Sequence, residues 1–190
     1  MIPLTLIAAY IAGSVNFAII LLTLLGKEDP RTKFSGNAGT TNVYRQAGIF
    51  WAAVVLILDV GRALAIGAAA LYLMDKPCVP WVGLSLIIGN RYPCFHRFHG
   101  GKGVASYIGF GAALSPVYAI LSCIVWVILF GIIRIPFIAS FFMIITIAAG
   151  TIITHSKEPF AISGVLTTAL LIFYNHKGNI QALREKMTVK

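Results

Sequence analysis

The chain is a succession of long apolar runs broken by short gaps that hold nearly all its charge, and that pattern decides the solvent in which it folds. Five runs reach or approach the roughly 20 residues a helix needs to cross a hydrocarbon core of about 30 Å: residues 2–25, 49–73, 117–133, 137–154 and 159–174. Two shorter apolar pieces, 79–89 and 104–114, flank a polar segment at 90–103. At about 1.5 Å per residue each covers half that thickness. Either both cross as short helices with a polar loop set deep between them, or the pair is re-entrant; seven spans or five follow. A chain of 190 residues that is 58% hydrophobic and 11% charged has too little soluble interior for so much apolar surface. The expected fold is an all-α integral membrane protein of seven transmembrane helices, two of them short, forming one domain over residues 1–190. The run at 2–25 has no basic residue ahead of it, the first being Lys27, and exceeds a signal core of about 7–15 residues, so it reads as a retained first span.

Charge assigns the orientation. The net charge of +9 is spread over the gaps instead of gathering in one patch, which disfavours a nucleic-acid partner. One side collects Lys27, Arg31, Lys33, Arg45, Arg91, Arg97, Lys102, Arg134, Lys177, Arg184, Lys186 and Lys190, against Lys76 and Lys157 on the other: 12 against 2. The positive-inside rule makes the rich side cytoplasmic, with the N-terminus outside and the C-terminus inside. Gly61, Gly67, Ala68 and Ala69 in the second span and Gly109 and Gly111 in the fourth are expected at close helix contacts. Cys78, Cys94 and Cys123 are scattered, with no spacing for a zinc site or disulfide framework.

Three polar segments on the basic side are not explained by hydropathy. In Phe34-Ser35-Gly36-Asn37-Ala38-Gly39-Thr40-Thr41-Asn42, followed by Arg45, glycines permit close backbone approach, hydroxyls and amides supply donors, and the arginine offers a fork to a phosphate or carboxylate. An ordinary solvated turn has the same composition. In Phe98-His99-Gly100-Gly101-Lys102-Gly103-Val104-Ala105-Ser106, glycines surround a lysine where an apolar helix begins, and free amides and the helix dipole attract anions there. A Walker A loop would need Gly at His96 and Ser or Thr at Gly103, so a phosphate is favoured over a nucleotide. The third, Tyr174-Asn175-His176-Lys177-Gly178-Asn179-Ile180, reads alone as an interfacial cap. Inside the second span, Asp59 and Arg62 at i, i+3 form an expected intramembrane pair, more readily a support of the bundle than a substrate contact. No G-x-S-x-G elbow, H-x4-D pair or acidic cluster for a metal occurs. An enzyme built on this chain has no evident protein nucleophile or base, and no metal or cofactor is expected.

In order along the chain, Ser35-Gly36-Asn37-x-Gly39-x-Thr41-Asn42-x-x-Arg45, the Tyr92-Pro93…Phe98-x-Gly100-Gly101-Lys102-Gly103-Val104-Ala105 block and His176-x-x-Asn179-Ile180-x-x-Leu183 resemble the three cytoplasmic motifs of the bacterial membrane acyl-phosphate:glycerol-3-phosphate acyltransferases, the PlsY family. Gly13-Ser14, Asp59 with a basic residue three on, and Ser140 extend the likeness over essentially the whole chain. The resemblance implies seven spans in the bacterial cytoplasmic (inner) membrane. It also implies transfer of an acyl chain from acyl phosphate to the 1-hydroxyl of glycerol 3-phosphate, giving lysophosphatidic acid and phosphate, within phospholipid synthesis. Carried over residue by residue, Ser35, Arg45, Lys102, His176 and Asn179 are the expected catalytic group. Asn37, Thr41, Asn42, Gly100, Gly101, Gly103 and Ser140 are the expected substrate-binding residues. Expected partners are the two substrates, membrane lipid and other lipid-synthesis enzymes.

Departures from the family pattern fall in the lead-in to the second motif, where Asn90 replaces His, and in the third. There Lys177, Ala182, Lys186 and Thr188 stand for Arg, Arg, Gly and Glu. A divergent paralogue would account for them. Two other readings use the same basic, glycine-rich face: a transporter for a small phosphorylated solute, and a non-catalytic binding relative.

Overall fold

The computed structural model describes residues 2–155 and 157–188, so the Lys190 counted above lies outside it. The described residues form helices and no strand. The elements are α1 (Ile2–Ser14), α2 (Phe17–Leu24), α3 (Thr40–Ala47), α4 (Ile49–Leu73), α5 (Val79–Arg91), α6 (Val104–Leu114), α7 (Pro116–Ile133), α8 (Pro136–Thr154), α9 (Pro159–Asn175) and α10 (Lys177–Thr188). Proline opens α7, α8 and α9, where its missing N–H costs nothing. Among the described residues, four segments are long and apolar enough to cross a membrane: Ile2–Leu24, Ile49–Leu73, Pro116–Ile133 and Pro136–Thr154. Pro159–Asn175 joins them as a fifth if taken with Lys177–Thr188 across a 45° bend, and Val104–Leu114 is a shorter apolar helix. The result is a multi-pass membrane protein. Large apolar side chains stand exposed along α4 and α7, among them Ile57, Leu64, Ile120, Ile124 and Ile128, as lipid contact requires.

Three expectations about elements change. The run at 2–25 is two helices, because Asn16 breaks it and its side chain caps α2 by accepting from the Ile19 N–H at 3.0 Å. The first polar segment is loop only as far as Gly39; Thr40 opens α3, which puts Thr41, Asn42 and Arg45 on a helix. The third polar segment, 174–180, read as a cap, spans the end of α9 and the first turn of the helix α10.

The interior has three apolar clusters. One joins Ile87, Tyr107, Ile144, Ile147 and Ile172 across α5, α6, α8 and α9. A second joins Ala9, Ala63, Val82, Leu86 and Phe110 across α1, α4, α5 and α6. The third packs Leu22 of α2 against Val43 of α3 and Val55 of α4. Close helix crossings use small residues, though partly other ones than expected. A Cβ at Gly13 would run into the Leu86 carbonyl, and one at Gly89 into the Tyr10 carbonyl, so α1 and α5 touch backbone to backbone. In the second half of α4 the buried small residues are Ala63, Gly67 and Ala70, whereas Gly61, Ala68 and Ala69 are exposed. Periodicity places one face of the helix on α6, and those three belong to the other. Gly109 and Gly111 pack as expected, against the Val60 carbonyl and Ile147.

Candidate active site

The two polar loops meet at one end of the helix bundle, and their meeting is held by bonds between residues far apart in sequence. Asn16, at the break between α1 and α2, donates to the Ala38 carbonyl at 3.2 Å. The Tyr10 hydroxyl donates to the Tyr92 carbonyl at 2.8 Å, and Ser14 Oγ accepts from the Cys94 N–H at 3.3 Å. Gly101 fits between the loops: a Cβ there would stand 2.9 Å from both the Ala38 carbonyl and Asn90 Oδ1. Its N–H and that of Gly100 return to the Asn90 and Arg91 carbonyls, each at 3.0 Å. Arg31 adds a clamp. Its Nε bonds Asp29 Oδ1 at 2.9 Å, while Nη1 reaches the His96 and His99 carbonyls at 2.7 and 3.1 Å. That bond to Arg31, ahead of burial, holds the Asp29 carboxyl below its ordinary range.

Between the loops lies a cavity of about 370 Å³ with two unlike ends. One is polar, lined by Ser35, Asn37, Thr41, Arg45, Lys102, His176 and Asn179. The other is apolar, lined by Leu56, Ile108, Trp126, Val127, Phe137 and Met143 of the helix bundle. Two helix N-termini face the polar end. In α3 the first amides returned to the helix are those of Asn42 and Val43, at the Gly39 carbonyl, which leaves those of Thr40 and Thr41 outside the ladder. In α6 the first is that of Tyr107, at the Gly103 carbonyl, leaving Val104, Ala105 and Ser106. Gly103 makes this turn with φ +92°, and a Cβ on it would meet Ile87 at 2.9 Å. Open amides, positive dipole ends and the Arg45 and Lys102 cations converge there, an arrangement that accepts phosphoryl oxygens.

Lys102 and Asn179 are hydrogen-bonded to one another, Nζ donating to Oδ1. Burial, with Arg91 nearby, lowers the Lys102 ammonium to about 8. Asn175, at the end of α9, donates to the Lys102 carbonyl at 3.3 Å. His176 is buried beside Phe137 and Phe141, with ring centroids 6.5 and 5.3 Å away. Its Nδ1–H donates to the Ile172 carbonyl at 2.8 Å, which leaves Nε2 as the acceptor. Burial pushes this imidazole down to about 4 against the opposing pull of the Ile172 carbonyl, and Lys102 adds to the lowering. Ser140 lines the cavity, donating to the Pro136 carbonyl at 3.0 Å and accepting from the Trp126 indole at 3.1 Å.

Two expected binding residues sit elsewhere. Asn42 is buried beneath the first loop, where its amide donates to the Pro30 and Lys33 carbonyls at 2.9 and 3.1 Å and its Oδ1 accepts from Ser35 Oγ at 3.1 Å. It shapes the loop that carries Ser35. Gly100 packs against the Asn90 carbonyl and Pro93, outside the cavity lining. The expected intramembrane pair is present, with Arg62 Nη2 3.0 Å from Asp59 Oδ1. Asp59 lines the cavity, and Arg62 also bonds Ser106 Oγ at 2.9 Å and the Val15 carbonyl freed by the helix break. The pair thus ties α4 to α6 and to the first span. Asn16 had not been singled out, Asn90 had been noted only as a departure from the family pattern, and Asn175 only as part of the third polar segment. The signal at Asn16 and Asn175 was an amide within or at the edge of an apolar run, which is costly unless it is paired.

The sequence profile of the family described as glycerol-3-phosphate acyltransferase matches residues 3–186. Among curated relatives, a glycerol-3-phosphate acyltransferase of Pseudomonas fluorescens is 36% identical over 181 residues, covering 93% of each chain. One of Methylobacillus flagellatus is 35% identical over 178 residues, covering 93% of this chain and 90% of the relative. A crystal structure of PlsY (YgiH), an integral membrane glycerol 3-phosphate acyltransferase, in its glycerol 3-phosphate form superposes with a TM-score of 0.90 at 30% identity, covering 97% of this chain and 92% of that one. Its lysophosphatidic acid form gives 0.88 at 29% identity with the same coverage. With sequence and fold agreeing over nearly the full length, this chain belongs to the glycerol-3-phosphate acyltransferase family.

Proposed function

We propose that the protein transfers an acyl group from acyl phosphate to the 1-hydroxyl of glycerol 3-phosphate in the bacterial cytoplasmic membrane. The observation that carries this reading is the two-ended cavity, in which open amides and cations at the polar end adjoin an apolar groove between helices. Such a cavity suits one soluble phosphate ester and one amphiphile that brings both a phosphate and a chain. The relatives named above supply the acceptor and the product; acyl phosphate as donor is our proposal. Seven crossings, with α5 and α6 spanning as short helices, the N-terminus outside and the C-terminus cytoplasmic, fit the 12-against-2 bias in basic residues.

The reaction balances without a covalent enzyme intermediate. The acceptor hydroxyl attacks the acyl carbonyl carbon, the carbon–oxygen bond to phosphate breaks, and the hydroxyl proton leaves with a phosphate. Lys102, Arg45 and the amides at the starts of α3 and α6 hold phosphoryl charge, and Asn179 fixes the Lys102 ammonium. Acyl phosphate is already activated, so positioning and charge stabilisation do most of the work. A phosphate with a second pKa of about 6 is a stronger base than His176, held near 4, so a substrate phosphate takes the proton. Ser35, Asn37, Thr41 and Ser140 complete the contacts around the phosphates.

The test uses purified protein in lipid with labelled glycerol 3-phosphate and palmitoyl phosphate, beside Lys102→Ala. Lysophosphatidic acid made by the native chain and lost in the variant is the expected result. Glycerol 3-phosphate bound without product would replace catalysis by a binding role.

A further inference from the structure

Helix α10 carries a pattern that the active site does not use. At about 100° per residue, Ile180, Leu183 and Met187 fall within an arc of about 60°, and no other helix covers its far end: Met187 is 72% exposed. Arg184 and Lys177 flank that arc on one edge and Lys186 on the other. Glu185 lies on the opposite face, where Gln181 one turn earlier donates to it at 3.1 Å. An apolar stripe edged by basic residues, with the acid turned away, is the form of a helix lying in a membrane interface. Depth at its start is marked independently. The exposed Tyr174 and Lys177 pair at the junction of α9 and α10, the ammonium 4.6 Å from the ring centroid and 3.0 Å from the hydroxyl, as aromatic and basic residues do at headgroup level. The helix leaves α9 at a bend of 45°.

We infer that α10 docks on anionic phospholipid headgroups of its own bilayer, and that this contact sets the position of Asn179 on Lys102. The coupling follows from place. Asn179 lies in the first turn of α10 and bonds the Lys102 ammonium, so whatever holds the helix holds that bond. Resting on the acyltransferase reading above, the inference makes turnover depend on headgroup charge. Its sign is informative. An anionic surface repels anionic substrates and raises KM for glycerol 3-phosphate, whereas docking of α10 raises kcat, so a saturating assay separates the two.

The experiment compares nanodiscs of phosphatidylcholine alone with discs holding about 30% phosphatidylglycerol, each basic residue at such a surface being worth about five-fold in affinity. Expected is a several-fold higher kcat in the anionic discs, lost in Arg184→Gln/Lys186→Gln and kept in Arg184→Lys/Lys186→Arg. A separate readout is Met187→Trp, whose quenching by lipid brominated in its acyl chains should rise with phosphatidylglycerol content. Equal kcat in both lipids for the native chain and the glutamine variant, or quenching indifferent to headgroup charge, overturns the inference. Product absent in every lipid while quenching still follows phosphatidylglycerol refutes the acyltransferase reading and supports the docking.

Discussion

Raising the pH across the Lys102 ammonium perturbs the site at one atom. In the free enzyme burial and Arg91 lower this group to about 8, so the cation that meets a phosphate is largely present at pH 7 and largely gone at pH 9. From the titration alone, protonation falls from ~91% to ~9% over that interval, and kcat/KM for glycerol 3-phosphate should fall about ten-fold. The sign follows from the lowered value: the active, charged form is complete well below 8 and lost above it. A bound dianion opposes the lowering, so the descending limb of kcat should lie at higher pH than that of kcat/KM. An ascending limb near 6 is expected from the phosphate itself. The assay is lysophosphatidic acid formation between pH 5 and 10, with spontaneous donor hydrolysis subtracted. Lys102→Arg, whose guanidinium stays charged above pH 12, should be slower but flat through 9. A native profile flat to 9.5, or a limb at 8 that survives in the arginine variant, would refute the assignment of phosphate binding to this ammonium.

Removing the loop clamp with Arg31→Ala should raise KM for glycerol 3-phosphate about ten-fold with a smaller change in kcat, a loss of ~1.4 kcal/mol; an unchanged KM would show that the loops hold each other without it. Asp59→Asn leaves Arg62 in the bundle without its counter-ion and should cost about 3–5 kcal/mol. Thermal unfolding in detergent should show the loss and a partial recovery in Asp59→Leu/Arg62→Leu, whereas an unchanged midpoint with activity gone would make Asp59 a substrate contact. His176→Ala should reduce turnover through lost packing at Phe137 and Phe141 while the ascending limb near 6 stays in place. Disappearance of that limb would make the imidazole the base.

Much of the site was legible because phosphate recognition uses residues clustered in short loops. Ser35 to Arg45 and Gly101 to Gly103 are local strings, and the structure brings them to one cavity. Asn42 and Gly100 belong to the same strings yet support the loops, because Asn42 falls on the buried face of α3 and Gly100 packs against the Asn90 carbonyl and Pro93. Asn16 escaped notice and Asn175 was given no role because they bond across 22 and 73 residues, to Ala38 and Lys102.

The sequence by itself determined that the chain folds in lipid, which of its runs can span, and which gaps carry its cations. Hydropathy and charge are sums over neighbouring residues, and the bilayer reads them segment by segment. Only the tertiary structure decided that the first run breaks at Asn16, that Arg62 reaches the Val15 carbonyl and Ser106 as well as Asp59, and that Ala63, Gly67 and Ala70 instead of Gly61 face α6. The last two outcomes depend on which helix becomes whose neighbour, and close packing settles that between residues more than 40 positions apart.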